Sequence, residues 1–169
     1  MKTLRHLITG MMALGVMGWV SCSTPNAMTK SELAQNVKRQ VETRDFKIEV
    51  NRMIPMSGAS RNLMPPYALT IKGDSIHSWL PYMGQGYNVP YGGGQGLTFD
   101  ALITDYSQSF DTKGTADINL QTRSKDDTYR YRIQIFDNGS ATIFVTPNNR
   151  QAINYYGKLE LNAKKQADQ

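Results

Sequence analysis

The sequence predicts a mainly β protein: an N-terminal amphipathic helix followed by a seven- to eight-stranded antiparallel meander, curled into a barrel or folded as a sandwich. Three observations predict it. After Asp45 the apolar residues recur at every second position, the period of a half-buried strand. Turn sequences interrupt these runs at short spacing. One helix-start signature, Thr29-Lys30-Ser31-Glu32, precedes them all.

The helix follows from that capping box and from Leu33, Val37 and Val41 at four-residue spacing with Ala34 alongside. It is expected to end near Arg44 and to lay its narrow apolar stripe on one side of a sheet. The strands follow from Phe46, Ile48, Val50; Tyr67, Leu69, Ile71; Leu97, Phe99, Ala101, Ile103; Ala116, Ile118, Leu120; and Tyr129, Tyr131, Ile133, Ile135. Ala141, Ile143, Val145 and then Ile153, Tyr155, Gly157, Leu159, Leu161 complete the set. Lys72-Gly73-Asp74-Ser75, Thr112-Lys113-Gly114, Lys125-Asp126-Asp127 and Asp137-Asn138-Gly139 separate them. The last is a strong hairpin signal, because Asn-Gly takes the positive φ angles of a type I′ turn at low cost.

The chain has 169 residues, 40% hydrophobic and 20% charged, which suits one domain with its own core and excludes wholesale disorder. Before the helix, Lys2 to His6 form a basic segment, Leu7 to Val20 an apolar run, and Ser21-Cys22 a cleavage-like junction. Fourteen residues are too few to span a bilayer core of about 30 Å. The pattern predicts a signal peptide over residues 1–21. Its end resembles the lipobox of bacterial lipoproteins, with Trp19 standing where a Leu is usual. In that class of signals the thiol, here Cys22, receives a diacylglyceryl group and the new amino terminus is often acylated, palmitate being the acyl chain expected. Each buried CH₂ contributes about 0.8 kcal/mol, so two or three chains hold firmly. Residues 22–28 then read as a lipid-anchored tether, 29–162 as a single helix-plus-β domain and 163–169 as a polar tail. Cys22 is the only cysteine, so an internal disulfide is excluded. From Cys22 onward 17 basic residues face 14 acidic ones, with no basic stripe, which argues against a nucleic-acid partner.

Motifs for catalysis are missing: no G-x-S-x-G, no S-x-x-K, no Gly-Lys-Ser/Thr, and beyond the leader one histidine, His77. A metal site of the His₃ or H-E-x-x-H kind cannot be assembled from one histidine, and no cofactor is implied. His77 reads as an ordinary sheet residue. Asp100, Asp105, Asp111 and Asp117 are spread over strands and turns; a carboxylate pair for hydrolase work is arithmetically available, with solvated roles preferred. Arg130, Arg132 and Gln134 share the polar face of one strand, with Arg123 or Lys125 nearby, and are candidate contacts for a lipid phosphate or acidic glycan.

The uncharged stretch from Ser78 to Gly96, SWLPYMGQGYNVPYGGGQG, reads as a long loop between two strands, because Pro81 and Pro90 break regular pairing. Its glycines do not make G-x-G-x-x-G, since the sixth position from Gly92 is Leu97. Such a loop either covers an open barrel end or serves recognition, with Trp79, Tyr82, Tyr87 and Tyr91 as candidate contacts.

The run Tyr67 to Asp74 with Trp79-Leu80-Pro81-Tyr82-Met83-Gly84 resembles the bacterial family called domain of unknown function 4251. Leu97-Thr98-Phe99, Gly139 to Val145 and Asn149 to Gly157 are similar to the same family. The resemblance covers about Phe46 to Leu159, and Leu-Pro-Tyr-x-Gly is its most distinctive piece. It implies a small exported protein of gut-dwelling Gram-negative bacteria and a β body closed as a lipocalin-like barrel or sandwich. It implies no activity, so no catalytic residue transfers. Together these readings predict no enzyme but a cell-envelope protein, anchored to the outer membrane and facing the periplasm or the outside. They make it a binding or structural module for an envelope protein, glycan or lipid. The alternatives are a carrier of a small apolar or amphipathic ligand inside a barrel and, least favoured, a hydrolase using Asp100 and Asp105.

Overall fold

The computed structural model describes residues 28–64, 66–88 and 96–161. Helix α1 (Lys30–Glu42) starts as its capping box requires: Glu32 N–H donates to Thr29 Oγ1 at 3.3 Å and Thr29 N–H donates to Glu32 Oε2 at 3.0 Å. It ends two residues short of the expected Arg44. There the Thr43 hydroxyl turns back to the Arg39 and Gln40 carbonyls, and Arg44 takes a positive φ of 50° that redirects the chain.

Nine strands follow: β1 (Asp45–Pro55), β2 (Arg61–Asn62), β3 (Ala68–Lys72), β4 (Ser75–Leu80), β5 (Leu97–Phe110), β6 (Ala116–Arg123), β7 (Thr128–Ile135), β8 (Ser140–Pro147) and β9 (Ile153–Leu159). From β3 to β9 each strand pairs antiparallel with the next, and β1 pairs with both β3 and β9. Eight strands therefore close into a barrel, which decides between the barrel and the sandwich. The short β2 is an extra strand against Arg52 and Met53.

Closure depends on two long strands that change partners. β1 gives Asp45–Glu49 to β3 and Ile48–Pro55 to β9, and β5 gives Leu97–Leu102 to β4 and Ile103–Phe110 to β6. Each carries a register shift, between Val50 and Arg52 and between Ile103 and Asp105. A bulge adds one residue and bends the strand, so it also flips which parity points inward. In β1 the buried set passes from Phe46, Ile48 and Val50 to Met53 and Pro55. At the first bulge Gly157 of β9 lies against β1 so closely that a Cβ there would overlap the Glu49 carbonyl oxygen. Glycine at this inward position permits the closure.

Among the described residues, side chains fill the barrel interior. Ile48, Leu69, Ile71, Ile76, Leu80, Leu97, Ile118, Ile133, Ile135, Ile143, Val145 and Ile153 pack with Tyr129, Tyr131 and Tyr155 in one cluster. Val37 and Val41 of α1 join that cluster instead of resting on one side of a sheet. The helix docks at the barrel end formed by the β3–β4 turn: Gly73 N–H donates to the Arg44 carbonyl, and the Arg44 guanidinium pairs with Asp74 and lies 4.1 Å over the Tyr106 ring. Along β6 and β7 the outward positions are polar and the inward ones, Thr122 apart, apolar, the reverse of a membrane-spanning barrel.

Candidate functional site

At the other barrel end lie the described parts of the uncharged stretch, Ser78–Asn88 and Gly96. Its first residues are not loop: Ser78, Trp79 and Leu80 complete β4, and the connection begins at Pro81. Three core tyrosines hold its two stems. Tyr155 Oη donates to the Pro81 carbonyl at 2.7 Å and Tyr129 Oη to the Gly96 carbonyl at 2.9 Å. Tyr131 Oη reaches Ser78 Oγ at 3.2 Å, and that hydroxyl donates to the Leu97 carbonyl at 2.7 Å. Burial pushes the Tyr131 and Tyr155 phenols well above their usual range, because the phenolate cannot be solvated there.

Beyond Pro81 the chain pairs with the β8–β9 loop. Tyr87 N–H donates to the Asn149 carbonyl and Gln151 N–H to the Gln85 carbonyl, each at 2.8 Å, flanking a bridge between Gly86 and Arg150. Tyr82 Oη donates to the Gln151 carbonyl at 2.9 Å, with the Gln85 carbonyl at 3.2 Å, and the Arg150 guanidinium sits 5.6 Å from the Tyr82 ring centre. A Cβ on Gly84 would meet Tyr82 Oη at 2.5 Å and Cζ at 2.9 Å, so glycine is what lets the ring fold over the backbone. From below, the Asp127 carboxylate accepts from the backbone of Thr128, Asn148 and Asn149. The segments Pro81–Tyr87 and Asn149–Gln151 thus form one knot that shuts the barrel end.

The candidate contact residues do not share one role. Tyr82 is part of the knot. Tyr87, at 66% exposure, stands on the loop surface, and Trp79, at 45%, stands on the outer face of β4 between Ala68 and Thr98. Tyr91 and Cys22 lie outside the described residues. His77, also outward on β4, pairs with Asp100 of β5.

Beside the knot is an open cleft of about 640 Å³ that the alternation pattern does not announce. It exists because β5 pairs with β6 only from Ile103, leaving Thr98–Ala101 apart from the β6–β7 turn. Phe99 stacks on Tyr129 at 4.6 Å in its floor, and Arg123, Lys125, Asp100 and Asp126 line it. The signal for it is the parity change within β5, from Phe99, Ala101 and Ile103 to Tyr106, Gln108 and Phe110.

Arg130 and Arg132 are both exposed on the outer face of β7. Arg130 lies between Gln121 and Thr146, and Arg132 between Asn119 and Phe144. Gln134 donates to Asp117 at 2.7 Å. Two shallow depressions of about 450 and 180 Å³ share Arg132 and Phe144. Asp105 lines the second of these while Asp100 lines the cleft, so the two carboxylates of the hydrolase alternative face different depressions. Among the described residues no three His, Cys, Asp or Glu side chains converge as a metal-ligating group.

The family model for the Domain of unknown function (DUF4251) matches residues 28–159. The fold is similar to the crystal structure of a DUF4251 family protein from Bacteroides eggerthii DSM 20697, at 15% identity and a TM-score of 0.61, covering 78% of this chain and 91% of that one. No curated protein matches the chain.

Proposed function

The chain belongs to the DUF4251 family, and from that premise we propose that it is a lipid-anchored module of the cell envelope that binds a partner through its outer surface. The observation that carries this reading is the solid interior. Tyr131, Tyr155, Ile133 and Ile143 at the barrel axis are at most 1% exposed, while Tyr87, Trp79, Tyr156 and Phe144 stand 66, 45, 44 and 37% exposed. A filled core with aromatic rings outside fits an interaction module; a carrier needs a lined cavity in place of that core. Cys22, six residues before Met28, is the anchor and the intervening segment the tether. The outer membrane, facing the periplasm or the outside, is the location that goes with such an anchor. No residue is assigned a catalytic role.

Capture from detergent-solubilised envelope of the native host tests this. The wild-type chain should recover a partner that a Trp79→Ala, Tyr87→Ala variant recovers poorly. Equal recovery by both removes these rings from the contact surface, and recovery of nothing by either sinks the binding reading. Mass spectrometry of the same preparation should find Cys22 as a lipid-modified amino terminus; an unprocessed Met1 with a free thiol contradicts the anchor.

A further inference from the structure

We infer that the outer face of β6–β9 is a binding site for an acidic carbohydrate, a sugar chain carrying carboxylate or sulfate groups; this rests on the binding-module reading and names its ligand class. The strands alternate, so the face is set by sequence parity: Asn119 and Gln121 on β6, Arg130 and Arg132 on β7, Phe144 on β8 and Tyr156 on β9 point outward together. Three kinds of group meet there. The two guanidiniums stand two residues apart on one strand, about 7 Å along it, and each offers a planar fork for an oxyanion. The amides of Asn119 and Gln121 present a donor and an acceptor side by side, the complement of neighbouring hydroxyls. Phe144 and Tyr156 offer exposed rings, and both line the larger depression together with Arg132.

That combination selects among anionic partners. An extended acidic peptide would seek a free backbone edge, but β7 has a full ladder on each side, to β6 and to β8. A lipid headgroup would satisfy the arginines and leave the amides without a role, and the depressions are shallow, with no slot for an acyl tail. Nucleic acid needs a wide basic surface, whereas Asp105 and Asp117 interrupt this one. A hydroxyl-rich ring bearing an anion uses all three groups at once.

The full chain, held in neutral phosphatidylcholine nanodiscs free of detergent, is titrated with polygalacturonate, dextran sulfate, neutral dextran, phosphatidylglycerol vesicles and single-stranded DNA. The expected result is binding to polygalacturonate or dextran sulfate, which of the two binds tighter naming the anion, with neutral dextran weaker by about tenfold or more. Arg130→Ala, Arg132→Ala should lose about tenfold and flatten the salt dependence, while Arg130→Lys, Arg132→Lys, which keeps the charge, should still lose several-fold, about threefold or more. Phe144→Ala should weaken binding and leave the salt slope unchanged. Circular dichroism on each variant confirms the barrel is intact. DNA or vesicles binding as tightly as the acidic glycans, indifference to Phe144→Ala, or no binding to either acidic glycan overturns the inference. If it falls while envelope capture still recovers a partner, the binding-module reading survives it.

Discussion

Replacing Gly157 by alanine tests barrel closure at its tightest point. The new methyl would overlap the Glu49 carbonyl oxygen and meet the Glu49 carbonyl carbon at 3.0 Å and Ile48 Cγ2 at 3.1 Å. Ordinary carbon contacts lie at roughly 3.5–4.0 Å, so β1 and β9 must separate by about 0.5–1 Å. The obstacle is backbone, which cannot swing aside as a side chain tip does. Overpacking of this kind costs about 1–3 kcal/mol. Val50 pairs with Gly157 at the bulge, so one or two ladder hydrogen bonds stretch as well, at about 1 kcal/mol each. Against this, alanine stiffens the unfolded chain and returns about 0.4–1 kcal/mol. The net expectation is a loss of about 1–4.5 kcal/mol, set against a normal stability of about 5–15 kcal/mol. Urea unfolding followed by circular dichroism reads it as a lower midpoint with an unchanged slope. A midpoint within error of the parent would refute the close approach of β1 and β9, and with it the closed barrel.

Other expectations follow from the tyrosines and the knot. Burial raises the Tyr131 and Tyr155 phenols in the folded state, so their stabilisation is whole below about pH 10 and is lost as pH rises further, at about 1.4 kcal/mol per pH unit for each phenol. Stability measured from pH 8 to 12 should fall steeply above 10, and a Tyr131→Phe, Tyr155→Phe variant should show a shallower fall; identical profiles would contradict the burial. Tyr82→Phe removes the phenol bonds to the Gln151 and Gln85 carbonyls and should cost about 1 kcal/mol. Its signature is faster hydrogen exchange at the Gln151 and Tyr87 amides, and unchanged exchange there would remove the hydroxyl from the knot. Asp127→Ala strips the acceptor from the Thr128, Asn148 and Asn149 amides and should lower stability by about 2–3 kcal/mol in a thermal melt; a change under about 0.5 kcal/mol would make the carboxylate dispensable.

The strands were legible because one face of each is buried and the period of two follows directly from that. Phe46 to Val50 and Tyr129 to Ile135 sit inward as their alternation predicts. So was the helix start, since a capping box is local chemistry. What the alternation hid were the two bulges. Past Val50 and past Ile103 the parity flips, and a pattern read in one phase stops there, short of the strand's true end. The cleft beside Phe99 is a consequence of that change of partner, and its one trace in the sequence is the same parity flip. The site residues fared unevenly for a related reason. Residue type alone marks Tyr82 and Trp79 alike as aromatic contacts, yet Tyr82 finds its nearer carbonyl partner 69 residues away at Gln151, while Trp79 is carried by strand parity onto the outer face. Long-range pairing of that kind leaves no trace in local spacing. Arg130 and Arg132 share a face because strand parity alone decides it.

A filled barrel that binds from outside, as proposed above, holds no ligand in its interior. Native mass spectrometry of the protein purified from its own envelope tests this most directly. The predicted result is a species carrying only covalent mass, unchanged between native and denaturing conditions. A stoichiometric apolar small molecule present in the native spectrum and released on unfolding would contradict it.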